Sequence, residues 1–111
     1  SRPTAFFCDS DIKALGVLDA ARDSGIMVPG QMSVIGFDDI PPAEQTRPPL
    51  TTIYKPRYEM GREAAHMLTS SLHGYNRTTH TERVLKTYLV HRDTCAPAIP
   101  INTSTGGSDE T

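Results

Sequence analysis

The sequence predicts an α/β fold built on a parallel sheet, and three observations predict it. Two short, unbroken apolar runs, Thr4–Cys8 and Met32–Phe37, have the continuity of strands covered on both faces. Between them, Asp11 to Ser24 repeats its apolar residues at helical spacing. The oxygens of Asp9-Ser10-Asp11 open that segment and Gly25 closes it. Strand, helix and strand within about 35 residues form a βαβ unit. A helix-length crossover of this kind implies parallel strands and a right-handed connection.

Taken in order, the first strand carries Ala5-Phe6-Phe7 and leads into Cys8, where a buried reduced thiol is expected. In the helix, Ala14, Val17, Leu18 and Ala21 share one face and should pack on the sheet. Ile12 and Leu15 project elsewhere, beside Asp19 and Arg22, so that core does not account for them and a second contact surface is expected. Val28-Pro29-Gly30 makes a turn, and the second strand ends at Asp38-Asp39.

A proline-rich loop (Pro41, Pro42, Pro48, Pro49) precedes a third strand over Leu50 to Tyr54. Pro56 opens a second helix, about Arg57 to His73, closed by Gly74. Gly61, Ala64, Ala65, Leu68 and Leu72 share one face of it, small enough at one end for close packing on a sheet. Tyr75 to Glu82 reads as a polar connection and Val84 to His91 as a last strand. From Asp93 onward there is neither Lys nor Arg, and the Thr/Ser/Gly-rich end has linker composition. Residues 96–111 are expected to be disordered, with Cys95 in a loose tail.

Composition excludes several functions. At 111 residues the chain is one domain at most. A net charge of −2 and a pI near 6.0, with no basic patch, mean that any contact with DNA is made by another segment. Two cysteines are too few for a disulfide scaffold and fit a reducing cytoplasm. No apolar run reaches the roughly 18 residues of a membrane span, and no secretory signal is read at Ser1-Arg2-Pro3, though the chain does not open on Met.

Enzymatic and metal readings fail by position. Ser10 lacks the G-x-S-x-G setting of a nucleophile elbow. Asp9 and Asp11 begin like a calcium loop, which Lys13 and the missing glycine break. Phosphate-cradling glycine motifs are absent, and His66, His73, His80 and His91 lack ligand spacing. Neither a catalytic site, a metal nor a cofactor is expected.

The motifs in their order carry more. Phe7-Cys8-Asp9-Ser10-Asp11, Ala14-Leu15-Gly16, Val28-Pro29, Ser33-Val34-Ile35-Gly36-Phe37-Asp38-Asp39-Ile40-Pro41, Pro48-Pro49-Leu50-Thr51-Thr52-Ile53, Met60-Gly61-Arg62-Glu63-Ala64-Ala65 and Leu89-Val90-His91-Arg92 follow one another. In this arrangement residues 3 to 95 resemble the last third of the LacI/GalR family of bacterial transcriptional regulators. The resemblance implies part of a lobe of the periplasmic-binding-protein-like type I fold: βαβ, then strand, helix, strand. Residues 1–95 would be the C-terminal part of the effector-binding and dimerisation domain, with about 55–85 crossing to the other lobe. The helix-turn-helix that reads operator DNA would lie outside this chain.

In open α/β sheets ligands bind beyond the carboxyl ends of the strands, which here carry Asp9-Ser10-Asp11 and Asp38-Asp39. A carboxylate accepts from vicinal hydroxyls, and a Ser hydroxyl donates or accepts. By resemblance Asp38 and Ser10 contact a small-molecule effector, a carbohydrate or related metabolite. Ser10 departs from the Asn common there. Alternatively, Ser10 is only a helix cap and Asp38 a loop-capping carboxylate; Asp39 is read as holding the following turn. The resemblance also places Leu15, Asp19, Pro42, Gln45 and Thr46 in a homodimer interface. It implies a cytoplasmic, effector-responsive repressor. The alternative is a periplasmic sugar-binding protein of a transporter. If the second helix packs on the other lobe, its Gly61, Ala64, Leu68 and Leu72 face has no partner within this chain.

Overall fold

The computed structural model describes residues 2–74 and 82–99. Its elements run β1 (Ala5–Phe7), α1 (Asp11–Asp23), β2 (Ser33–Ile35), a single 3-10 turn (Pro41–Glu44), β3 (Thr52–Tyr54), α2 (Arg57–Leu72) and β4 (Tyr88–Val90). The chain forms two compact units, one from residues 1–54 together with 89 onward, the other Lys55–Tyr88.

β2 is the centre of the first unit. On one side it pairs in parallel with β1 in the register Ala5↔Ser33, Phe6↔Val34, Phe7↔Ile35. Along its other side the Val34 N–H donates to the Thr94 carbonyl (2.8 Å), Gly36 to Thr51 (2.9 Å) and Asp38 to Ile53 (2.9 Å). Isolated parallel bridges link Ile35 with Thr51 and Asp38 with Tyr54. β3 and β4 form a second two-stranded sheet.

α1 forms where its caps predict. The Ser10 hydroxyl accepts from the Lys13 N–H at 3.2 Å, with Asp11 in the first turn and Arg22 in the last, each favourable toward the helix dipole. At the other end Gly25 takes φ +71 and the Ile26 N–H reaches back to the Ala21 carbonyl at 2.8 Å, while Gly25 N–H meets Arg22 at 3.2 Å. That pair of bonds is a Schellman cap, and the left-handed turn it needs is why glycine stands there.

The buried face is the expected one. Ala14, Leu18 and Ala21 join Cys8, Met32, Val34, Ala43 and Leu50 in one core, with Val17, Ile26 and Val28 packed at its margin. Cys8 is a free thiol in that core. Burial, with the Asp9 carboxylate second, pushes its pKa up, and Lys13 opposes. The protonated, weakly nucleophilic form is therefore favoured.

Four expectations are corrected. β1 is a strand but not one buried on both faces: Phe6 and Phe7 are 40% and 70% exposed. Only β2 pairs with it among the described residues, and Phe6 and Phe7, which point to opposite faces of a strand, are both exposed. Among the described residues the α2 face of Gly61, Ala64, Ala65, Leu68 and Leu72 does not pack on a sheet and is exposed, in line with the alternative that it has no partner within this chain. The half-buried positions of α2 are Glu63, Met67 and Ser70, a different stripe. Met60, Glu63, Ala64 and Met67 line a 250 Å³ groove with Arg83, Leu85 and Thr87, across which Arg83 pairs with Glu63 at 3.1 Å.

The last strand covers Tyr88–Val90, not Val84 to His91; Val84 is 83% exposed and no ladder holds it. Finally, Cys95 is not in a loose tail. Thr94 is fully buried, the Cys95 thiol meets the Val34 carbonyl at 3.5 Å, and the Ala96 N–H donates to the Ser33 hydroxyl at 3.0 Å. The polar connection expected over 75–82, apart from Glu82, and the tail beyond residue 99 lie outside the described residues.

Candidate functional site

Because β1 and β2 run parallel, their carboxyl ends emerge on the same edge of the sheet. Just beyond that edge the Asp11 N–H donates to the Phe37 carbonyl at 2.9 Å. This bond staples the two strand exits together between Ser10 on one segment and Asp38 on the other. Both residues are half-buried. The Ser10 oxygen is already used as the α1 cap, which occupies an acceptor lone pair and leaves the O–H to donate.

Asp38 and Asp39 sit in strained backbone, with φ of +119 and +59. Non-glycine residues avoid this region unless their surroundings hold them there, and such positions concentrate at binding sites. Two holds are visible. The Asp38 N–H is bonded to Ile53, and the Asp39 carboxylate accepts from Arg92 at 2.9 Å, with those side chains only 20% and 17% exposed. Asp39 was expected to hold the turn that follows it. Its carboxylate also reaches a residue 53 positions away, which donates in addition to the Leu50 carbonyl at 3.0 Å.

Sequence reasoning missed the centre of the site. Asp11 is fully buried. One of its carboxylate oxygens accepts from the Thr52 hydroxyl at 2.6 Å and the other from the Ile40 N–H at 2.9 Å. It thereby ties the start of α1 to the loop after β2 and to the start of β3. Gly36 makes room for it: a Cβ there would collide with the Asp11 carboxylate and lie 3.2 Å from Leu50 Cδ2. Thr94 has the same role lower in the sheet, accepting from Thr51 N–H at 2.9 Å and donating to the Val34 carbonyl at 2.6 Å. The residue types gave no signal, since an acid in a first helical turn and a threonine in a polar stretch are ordinary.

Of the residues expected at a dimer interface, Leu15 and Asp19 lie on α1, Pro42 on the 3-10 turn and Gln45 and Thr46 just after it, on segments that share a core. Ala43 of the 3-10 turn packs with Ala14 and Leu18 of α1, and the Ile40–Asp11 bond joins the two at their starts. On those elements Leu15 is half-buried, Ile12 is 66% exposed, and Pro42 and Gln45 are exposed. Asp19 is exposed and pairs with Arg22 at 3.0 Å, while the Thr46 hydroxyl lies 2.7 Å from the Pro48 carbonyl. Among the described residues no helix is long and apolar enough to cross a membrane.

Comparison with known proteins places this arrangement. Residues 1–95 match the family described as the periplasmic binding protein-like domain. The HTH-type transcriptional repressor CytR of Escherichia coli K12 is 51% identical over 72 residues, which are 65% of this chain and 21% of that protein. A LacI family transcriptional regulator from Enterococcus faecalis V583, solved with bound ribose, superposes with a TM-score of 0.82 at 29% identity, over 89% of this chain and 37% of that one. The lac repressor dimer bound to operator and the anti-inducer ONPF superposes with a TM-score of 0.79 at 32% identity, over 86% of this chain and 32% of that one. The chain thus spans about a fifth of the curated repressor it matches.

Proposed function

We propose a function for a chain that belongs to the periplasmic binding protein-like domain family, in its LacI/GalR branch: it is the effector-binding and dimerisation segment of a transcriptional repressor. In this reading a sugar or related small metabolite sits beyond the carboxyl edge of the sheet. Asp38 accepts from its hydroxyls and Ser10 donates to it. Operator DNA is read by a helix-turn-helix outside the chain, and the protein acts as a cytoplasmic homodimer without catalysis. One observation carries the proposal. The parallel register of β1 and β2, with the Asp11–Phe37 bond between their exits, brings Ser10 and Asp38 to one edge. The relatives support it: one carries the name of a repressor, one structure holds ribose, and one is a dimer on operator. They favour a regulator over a transporter's sugar-binding protein.

The test uses the full-length regulator carrying this segment, titrated calorimetrically with pentoses, hexoses and nucleosides. A binder found in that panel should lose about tenfold to a hundredfold in affinity with Asp38→Asn, the loss of one or two charge-assisted hydrogen bonds. Unchanged affinity removes Asp38 from the site. Leu15→Asp should shift the dimer toward monomer in sedimentation velocity, since a charge on the half-buried flank of α1 would have to be desolvated on association. An unchanged profile counts against α1 as the interface.

A further inference from the structure

We propose that Arg92 is the positioning residue of the effector edge: it holds the Asp38-Asp39 tip in its left-handed conformation and fastens that tip to the strand leading out of the first unit. The inference rests on the effector reading for its functional meaning, and on geometry alone for the positioning itself.

The geometry is a three-point clamp. One guanidinium nitrogen donates to the Asp39 carboxylate at 2.9 Å and another to the Leu50 carbonyl at 3.0 Å, while the Arg92 backbone N–H donates to the Thr51 hydroxyl at 3.0 Å. Arginine's rigid fork allows both side-chain bonds at once, which the single ammonium of lysine does not. The Arg92 side chain is 17% exposed, so its pairing with Asp39 is only partly screened by water. The residue it fixes follows Asp38 directly, and both carry positive φ. Backbone held in that region relaxes when its restraint is removed. Releasing Asp39 therefore removes one of the restraints on Asp38, beside its amide bond to Ile53.

The clamp also has a place in the chain's connectivity. Leu50 and Thr51 directly precede β3, whose last residue, Tyr54, ends the first stretch of unit one. Arg92 lies three residues after the point where the chain returns to that unit at Leu89. A single side chain thus binds the tip to both the outgoing and the returning segments. Displacement of either one loads the conformation of Asp38.

Hydrogen exchange of the full-length regulator, without effector, tests the positioning. In Arg92→Met the Asp38 amide, bonded to Ile53, should exchange about tenfold faster, the effect of losing hydrogen bonds worth about one step of ten. Arg92→Lys should recover part of that protection by restoring the charge opposite Asp39. Two results overturn the inference: unchanged exchange over residues 36–41, or an increase spread equally through α1 and β1. Partial rescue by lysine with the change confined to 36–41 supports it. The readout needs no effector, so its failure is separate from that of the sensing site, which the Asp38→Asn titration decides.

Discussion

Asp11→Ala is expected to lower the unfolding free energy of the protein carrying this chain by on the order of 3 kcal/mol or more. The substitution removes the acceptor for two donors at once. The Thr52 hydroxyl belongs to a fully buried residue, and the Ile40 N–H is half-buried, so water replaces the lost carboxylate poorly. Each unsatisfied buried donor costs about 1–3 kcal/mol, and the cavity left by the carboxylate adds to it. Urea unfolding followed by circular dichroism measures the effect. Thr52→Val is the control, removing a single donor and costing about half as much. If Asp11→Ala leaves the midpoint where Thr52→Val leaves it, Asp11 does not tie the three segments together.

The second large effect comes from the other side of the same contact. Gly36→Ala should cost about 3 kcal/mol, at the upper end for overpacking, because the new methyl meets the buried Asp11 carboxylate and lies 3.3 Å from the Asp11 Cα and 3.2 Å from Leu50 Cδ2. Neither the backbone nor fully buried Leu50 can withdraw freely. Removing the carboxylate relieves the main clash. The double variant Asp11→Ala, Gly36→Ala should therefore be more stable than the sum of the two singles by about 1 kcal/mol or more. Strict additivity would mean that the methyl is accommodated elsewhere and that the close approach is not what requires glycine at 36.

What the sequence disclosed follows how far apart the interacting groups lie. α1 was legible to within a residue, since Ser10, Gly25 and the apolar spacing act within one or two turns. The parallel pairing of β1 and β2 was legible from the length of the crossover. The burial of β1 was not, because an apolar run records that a strand prefers cover and not which segment supplies it. The same applies to α2, where periodicity marked the Leu68 and Leu72 stripe while the half-buried residues are Glu63, Met67 and Ser70. At the candidate site, the rule for strand ends pointed to Asp9-Ser10-Asp11 and Asp38-Asp39, and the family resemblance singled out Ser10 and Asp38 among them. Asp11, Arg92 and Thr94 escaped because their partners stand 29 to 60 residues away, beyond any local pattern. Arg92 lay within a matched motif, but its role is visible only from the distance to Asp39.

The return of Thr94 to Val34 across 60 residues has a bearing on synthesis. A chain emerging from the ribosome amino end first can pair β1 with β2 and then add Thr51 and Ile53 to the far flank, yet the Val34 end of that flank stays open until Thr94 is released. Closing so wide a ring is slow, and slower as the loop lengthens, whereas its equilibrium cost grows only with the logarithm of loop length. Sequence inserted between the two flanks should thus delay completion of the sheet more than it weakens the finished protein.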